Sequence, residues 1–260
     1  MIDGVAYEGY VAYPTSAKVV AAASAAAAPV GGGGANDSSA PAAAQLVPVL
    51  VAHQWMGLGA MEQFRAEEMA GFGFFAFALD VYGKGVRPDT PAAASAASGA
   101  LKADVPEFHK RIDAGVAQLL SAAPRAAQVA VNASAALANG YCFGGVMVLE
   151  LARTGQMLAV ASFHGELGNI TSQDDDRFSD TAAVQVHHAD LDFSGAAGLL
   201  GLEDELRSQK VAVWQTAKYG NVEHGWTDPT SAKYNDQAAQ QAHASMRHFY
   251  AYQLGRSYQC

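Results

Sequence analysis

Short apolar segments alternate with helical patterns along most of this chain, and this alternation restricts its fold more than any other feature. LVPVLVAH (residues 46–53), FFAFALD (residues 74–80) and Leu158–Phe163 are continuous apolar runs with the length of buried strands. Between the first two lies MEQFRAEEMAGFG (residues 61–73), which has the pattern of a helix that ends near Gly71 or Gly73. Strands that are buried on both faces and separated by helices are typical of a parallel sheet. We therefore predict a doubly wound, mainly parallel α/β fold.

The rest of the chain continues this pattern. Asp104 and Glu107 resemble a helix-capping pair, and apolar residues then recur at helical spacing toward Pro124. A helix is also expected after Gly144, and a last one shows apolar residues on one face between Ala238 and Phe249. The remaining predicted strands are an aromatic-rich edge strand at Val5–Tyr13, Ala135–Tyr141, Ala183–His187 and Val211–Trp214.

Length and composition favour one domain. The chain has 260 residues, of which half are hydrophobic and only 16% are charged, so it can bury a single large core. Ala, Gly and Ser dominate from about residue 16 to residue 44, and such a stretch cannot supply core packing. We predict a single α/β domain over residues 1–260, with a low-complexity Ala/Gly-rich surface insert at about 16–44.

Charge and cysteine content limit the partners and the compartment. The formal net charge of −9 and the absence of a basic run argue against nucleic acid. The longest apolar tract, Val19–Val30, is mostly alanine, and the first ten residues carry no Lys or Arg, so neither a membrane span nor a secretory leader is expected. Two cysteines provide no disulfide framework. We expect a cytoplasmic protein, a monomer or weak homodimer, that acts on a small molecule.

The segment GYCFGG (residues 140–145) follows an apolar strand and precedes a helix. A sharp strained turn between strand and helix needs small residues on both sides, and Gly140 and Gly144 provide them. Cys142 would then project outward near a helix N-terminus, which favours a thiolate, and the Phe143 amide could face an oxyanion. Most free cysteines are simply buried small hydrophobic residues, which is the alternative interpretation. No serine elbow of the form GxSxG competes.

A cysteine nucleophile of this kind requires a base and an acid further along the chain. His224 is the best base of the eight histidines, because it lies in a turn-like segment between the last predicted strand and the last helix. Asp190 and Asp192 directly follow a strand, and either could orient the imidazole, with Asp192 preferred. No pair of histidines has convincing metal spacing, so no metal is expected.

Together these residues resemble the dienelactone hydrolase family of carboxymethylenebutenolidase-like α/β hydrolases. The resemblance covers nearly the whole chain except the Ala/Gly-rich insert, and SFHGELG (residues 162–168) also matches. In that family the nucleophile, acid and base occur in this order, which implies a triad of Cys142, Asp192 and His224 without a cofactor. Four blocks carry the resemblance, namely AHQWMGLG (residues 52–59), ALDVYGKG (78–85), GYCFGG (140–145) and EHGWTDP (223–229).

The resemblance also implies an oxyanion hole and a substrate site. Its motifs place the two oxyanion-hole amides at Trp55 and Phe143, and substrate-binding side chains at Gln54, Lys84 and Trp226. The implied reaction is hydrolysis of an ester or lactone through a thioester on the cysteine.

Three positions depart from the family pattern. Gln54 stands where bacterial dienelactone hydrolases carry glutamate, and Gly225 and Asp228 stand in place of Ser and Arg. An acid at position 228 would repel a second anion. We therefore expect this chain to share the family's reaction type rather than its substrate. Two alternatives to a hydrolase remain: a catalytically silent binding or regulatory protein that keeps the scaffold, and an acyl transferase that uses the same triad.

Overall fold

The computed structural model describes residues 4–14, 45–167 and 177–255, and the predicted insert lies outside them. From the second strand onward, helices separate the described strands as the apolar pattern predicts, except that the strands at Ala159–Phe163 and Ala183–Leu191 follow one another. The strands are β1 (Gly9–Ala12), β2 (Pro48–Ala52), β3 (Phe75–Leu79), β4 (Leu137–Tyr141), β5 (Ala159–Phe163), β6 (Ala183–Leu191) and β7 (Trp214–Glu223). The α-helices are α1 (Ala60–Gly71), α2 (Pro91–Ala103), α3 (Val105–Ala117), α4 (Ala123–Ala127), α5 (Phe143–Thr154), α6 (Gly195–Ser208) and α7 (Asp236–Gln253).

The seven strands of the described residues form one sheet in the order β1-β3-β2-β4-β5-β6-β7. Among them only β1 runs antiparallel to its neighbour, and the other neighbouring pairs are parallel. The predicted doubly wound, mainly parallel sheet is therefore confirmed.

The last strand was predicted wrongly. It does not cover Val211–Trp214 but begins at Trp214 and continues to Glu223. This strand lies at the edge of the sheet, and most of its residues are exposed or only half-buried. It consequently lacks the apolar run that marks a buried strand, and its polar residues resemble a loop. The first strand is also shorter than predicted, since it covers only Gly9–Ala12.

Helices cover both faces of the sheet, and successive residues of each strand point to opposite faces. In β2, Leu50 belongs to the core on one face, whereas Val49 and Val51 belong to the core on the other. The first core includes Phe108 of α3, Met147 of α5 and Leu206 of α6; the second includes Met69 of α1 and Met246 of α7. Among the described residues, no helix combines the length and apolar character needed to cross a membrane.

The strand register brings several loops to one edge of the sheet. Ala52 at the end of β2 is aligned with Gly140 of β4, and Tyr141 at the end of β4 is aligned with Phe163 at the end of β5. The residues that follow these strands therefore emerge side by side. Ligand sites of open α/β sheets form at this carboxyl edge.

The turn between β4 and α5 tests how tightly these elements pack. A Cβ atom at Gly144 would lie 2.2 Å from the Ala52 carbonyl oxygen, which belongs to rigid backbone. We expect Gly144→Ala to lower the free energy of unfolding by about 3 kcal/mol, as measured by urea denaturation. Gly99→Ala in α2 is the matched control, because a Cβ there meets nothing within 4 Å; it should be neutral or stabilise by up to about 1 kcal/mol. Equal stability of the two variants would contradict the close approach.

Candidate active site

Cys142 occupies a strained turn between β4 and α5. Its backbone angles are φ 55° and ψ −114°, a region that non-glycine residues rarely adopt. A Cβ atom at Gly140 would lie 2.0 Å from the Gly144 carbonyl oxygen, so the turn requires a glycine there. The Cys142 amide donates to the Phe163 carbonyl oxygen at 3.0 Å and lies 3.2 Å from Nδ1 of His164. This is the geometry of a nucleophile elbow.

His224 and Asp192 form the second part of the site. Nδ1 of His224 donates to Oδ2 of Asp192 over 2.9 Å, and the Asp192 side chain is fully buried. The other carboxylate oxygen, Oδ1, accepts hydrogen bonds from the amide and hydroxyl of Ser194 at 3.3 and 3.2 Å. Asp190 instead lies on the surface and pairs with Lys218 at 2.9 Å. Of the two aspartates that the sequence offers, only Asp192 contacts His224.

The protonation of His224 follows from its neighbours. Burial alone would lower its pKa, but hydrogen bonds to Asp192 and Cys142, with the charges of both groups, raise the pKa to about 9. Burial of Asp192 acts to raise its pKa, and the hydrogen bond and charge of His224 outweigh this effect and lower it. At neutral pH a charged imidazolium therefore lies between the buried carboxylate and the cysteine sulfur.

The two residues assigned to the oxyanion hole lie on the wall of one cavity together with Cys142 and His224. Within the part of the chain that the structure describes, neither the Trp55 amide nor the Phe143 amide donates a hydrogen bond to a protein group. Phe143 is the first residue of α5, where backbone amides are free to bind an anion. Both amides are thus available to a ligand.

The cavity has a volume of about 500 Å³ and mixes apolar and charged walls. Trp55, Met61, Phe143 and Phe193 provide the apolar surface, and the Phe193 ring lies 4.6 Å from the His224 ring. Two lysines and two acids also line the cavity. They are Lys102 and Glu166, which form an ion pair, Lys233, which pairs with Glu223 at 3.0 Å, and Asp228.

Of the three predicted substrate-binding side chains, one lines the cavity and two lie elsewhere. Gln54 lines the cavity, and its Nε2 donates to Oδ2 of Asp228 at 3.4 Å. Trp226 is fully buried and packs on Tyr219, with ring centroids 4.6 Å apart, so its indole does not reach the cavity. Lys84 is exposed in a glycine-rich turn away from the cavity wall. The structure therefore places Gln54 in the cavity lining and Trp226 and Lys84 outside it.

His164 belongs to the site but was missed from the sequence. Its Nδ1 faces the Cys142 amide, and its Nε2 lies 2.7 Å from Oγ1 of Thr227, three residues after His224. Burial and the nearby charge of His224 hold its pKa well below the usual value, so the ring is neutral. Through these two contacts, His164 connects the turn at Cys142 to the loop that carries His224 and Thr227. Its position directly after an apolar strand, in SFHGELG, was the available signal.

Two further buried histidines, His187 and His243, have hydrogen-bond partners within the protein. His187 bonds to Tyr219 at 3.0 Å, and His243 bonds to Tyr141 at 3.0 Å. Over residues 4–14, 45–167 and 177–255, no group of three or more His, Cys, Asp and Glu side chains is arranged to hold a metal ion.

The sheet order, the strained elbow and the residues around it define an α/β hydrolase. Comparison with protein-family models makes the assignment more specific, since the model described as the dienelactone hydrolase family matches residues 37–254. The chain belongs to the dienelactone hydrolase family. No curated protein matches it in sequence.

Solved structures agree with this family. A dienelactone hydrolase-like promiscuous phosphotriesterase, P91 from metagenomic libraries, is 28% identical, with a TM-score of 0.70 over 80% of this chain and 87% of its own. A protein named m3DLH gives 28% identity and a TM-score of 0.70 over 79% and 86%. Esterase 2 of Thermogutta terrifontis, at 14% identity and a TM-score of 0.61 over 99% and 94%, shares the fold.

Two aspartates provide a matched test of the charge on His224. Asp192→Asn removes the carboxylate that stabilises the imidazolium, so we expect the His224 pKa to fall clearly below about 9. Asp190→Asn removes a similar charge two residues away that pairs with Lys218 instead, and it should leave the His224 pKa unchanged. Histidine NMR titration measures both. A larger effect of Asp190→Asn would overturn the assignment.

The raised pKa of His224 also makes stability depend on pH. The folded value of about 9 exceeds the unfolded value of about 6.5, so the imidazolium stabilises the fold fully below pH 6.5, and this contribution is lost as the pH rises through 9. We expect the difference in free energy of unfolding between wild type and His224→Gln to shrink by up to about 3 kcal/mol between pH 6 and pH 10. Urea denaturation at several pH values measures it; a constant difference would contradict the charged imidazolium.

Proposed function

We propose that this protein hydrolyses small carboxylic esters or lactones, with Cys142 as nucleophile, His224 as acid and base, and Asp192 as the residue that orients His224. The observation that carries the proposal is the 2.9 Å hydrogen bond from His224 to Asp192, at the wall of a cavity that His224 and Cys142 line together. A nucleophile beside a base that an acid orients is the signature of covalent acyl transfer.

The reaction has two halves. The Cys142 thiolate attacks the carbonyl carbon, and the tetrahedral intermediate collapses to a thioester while the His224 imidazolium gives its proton to the departing alkoxide. His224, now neutral, takes a proton from water, and the hydroxide attacks the thioester. Collapse of the second intermediate releases the carboxylic acid and restores the thiolate and imidazolium. For a lactone, the departing alkoxide stays attached to the acyl chain through both halves, and the product is a single hydroxy acid.

Two features support stabilisation of the intermediates. The Trp55 and Phe143 amides are free of protein acceptors and line the cavity, and each donor to an oxyanion is worth roughly 3 kcal/mol in analogous hydrolases. Cys142 also lies at the N-terminus of α5, where the helix dipole favours a negative charge.

The cavity favours small, uncharged substrates. A volume of about 500 Å³ suits a small molecule, and the apolar walls provided by Trp55, Met61 and Phe193 suit its hydrocarbon part. Lys102 and Lys233 are each paired with a glutamate, and Asp228 adds a negative charge. A substrate carboxylate would find no unpaired cation among these side chains.

A second candidate reaction is the hydrolysis of phosphotriesters by the same nucleophile. It is favoured by the 28% identity to the promiscuous phosphotriesterase P91. A phosphotriester is uncharged, and it therefore suits the same charge-balanced cavity. In this reaction Cys142 would displace an alkoxide or aryloxide from phosphorus, and water would then cleave the sulfur–phosphorus bond.

A panel of p-nitrophenyl esters, lactones, thioesters and a phosphotriester, assayed with wild type and Cys142→Ala, tests both reactions. We expect Cys142→Ala to reduce turnover at least about 1,000-fold because covalent catalysis is lost. Cys142→Ser tests whether the thiol itself is needed, and circular dichroism confirms the fold of each variant. Undiminished turnover by Cys142→Ala would refute the nucleophile.

A catalytically silent binding protein predicts a different result. Wild type would then turn over no member of the panel, and Cys142 would react with iodoacetamide no faster than an ordinary thiol. The chain has a second cysteine, Cys260, so labelling is measured in a Cys260→Ser background. An acyl transferase would instead form the acyl-enzyme and pass the acyl group faster to an added alcohol or thiol than to water.

A further inference from the structure

We propose that His53 is a positioning residue that fixes the Trp55 amide so that it faces the reacting carbonyl oxygen. This inference rests on the proposed ester hydrolysis, since the oxyanion exists only in that reaction. His53 directly follows β2, is fully buried, and is absent from the residues that line the cavity. It therefore acts through the backbone of its neighbours.

The hydrogen bonds of His53 identify its tautomer. The Val81 amide lies 3.3 Å from Nε2, and a backbone amide can only donate, so Nε2 is the unprotonated acceptor. The hydrogen of a neutral ring is then on Nδ1, which lies 2.6 Å from the Gln54 carbonyl oxygen and donates to it. Burial lowers the His53 pKa to about 4, which agrees with a neutral ring. His53 thus accepts a hydrogen bond from the Val81 amide and donates one to the Gln54 carbonyl oxygen.

The Gln54 carbonyl and the Trp55 amide belong to the same peptide group. The described residues contain no cis peptide bond, and in a trans peptide the C=O and N–H point in opposite directions. His53 Nδ1 holds the carbonyl oxygen, and the Gly57 amide donates to the same oxygen at 3.1 Å. With the oxygen held by two donors, the Trp55 N–H is directed away from His53 and stays unpaired.

Neighbouring groups fix the peptides on both sides. The Gln54 amide donates to Oε1 of Glu62 at 3.2 Å, and the Tyr82 hydroxyl donates to the Trp55 carbonyl oxygen at 2.9 Å. The Tyr82 ring packs against His53, with centroids 4.7 Å apart. The central peptide is the one whose orientation matters for catalysis, and His53 provides the side-chain donor that opposes its rotation.

Rotation of that peptide would exchange a donor for an acceptor. The Gln54 carbonyl oxygen would then face the cavity, where it would repel a negatively charged oxygen instead of stabilising it. Removal of the Nδ1 donor should therefore slow steps that form an oxyanion, while leaving the nucleophilicity of Cys142 unchanged.

The test compares two reactions of Cys142. Acylation by p-nitrophenyl acetate, followed as the burst of p-nitrophenol, passes through an oxyanion, whereas alkylation by iodoacetamide, followed at Cys142 by peptide mass spectrometry, does not. His53→Phe keeps an aromatic ring but removes both hydrogen bonds. We expect it to slow acylation about 100-fold, the loss typical of one oxyanion donor, and to leave the alkylation rate within about twofold. His53→Asn, whose Nδ2 can replace the Nδ1 donor, should recover most of the acylation rate.

The outcomes separate the two proposals. Unchanged acylation in His53→Phe, or an equal loss of acylation and alkylation, would overturn the positioning role. Failure of wild type to acylate would overturn the proposed function and this inference with it. If His53→Phe does not fold, long-range ¹⁵N NMR of wild type decides, because an Nε2–H tautomer could not donate from Nδ1 to Gln54 and would refute the proposal.

Discussion

The close crossing of β4, α5 and the end of β2 is the constraint on which the whole site depends. Gly140 and Gly144 contact each other without side chains between them, and Gly144 also lies against the Ala52 and His53 carbonyl groups. Because α5 begins in van der Waals contact with the end of β2, the loop that carries Trp55 lies beside the first turn of the helix. The strained backbone of Cys142 is maintained by packing that no larger residue would allow.

Three buried histidines surround this crossing, and one carboxylate decides which of them carries a charge. His53 and His164 bond only to uncharged groups, so burial dominates and both rings are neutral. His224 is also largely buried, but its contact with Asp192 reverses the effect of burial on its pKa. Two histidines can thus act as fixed hydrogen-bonding links, whereas His224 is positively charged at neutral pH.

The features that the sequence predicts are those set by a local pattern of residues. Buried parallel strands read as apolar runs, and the glycines around Cys142 indicate the elbow, so both are accessible without a structure. The edge strand β7 could not be predicted in this way, because a half-exposed strand lacks an apolar run. The local sequence also does not decide between Asp190 and Asp192. Asp190 lies near the end of β6 and Asp192 directly after it, and the strand pairing becomes irregular between Ala189 and Leu191, so their surroundings depend on tertiary packing.

The side chains at positions 54 and 228, where the sequence departs from the family pattern that it resembles, lie in contact. Gln54 donates through its amide to the Asp228 carboxylate at 3.4 Å. Glu62 is buried nearby, and burial, with the charge of Asp228, raises its pKa. A glutamate at position 54 would bring a third carboxylate into this group, whereas glutamine provides a donor at no cost in charge. Asp228 also lines the cavity, so in the proposed reaction its carboxylate would repel an anionic substrate.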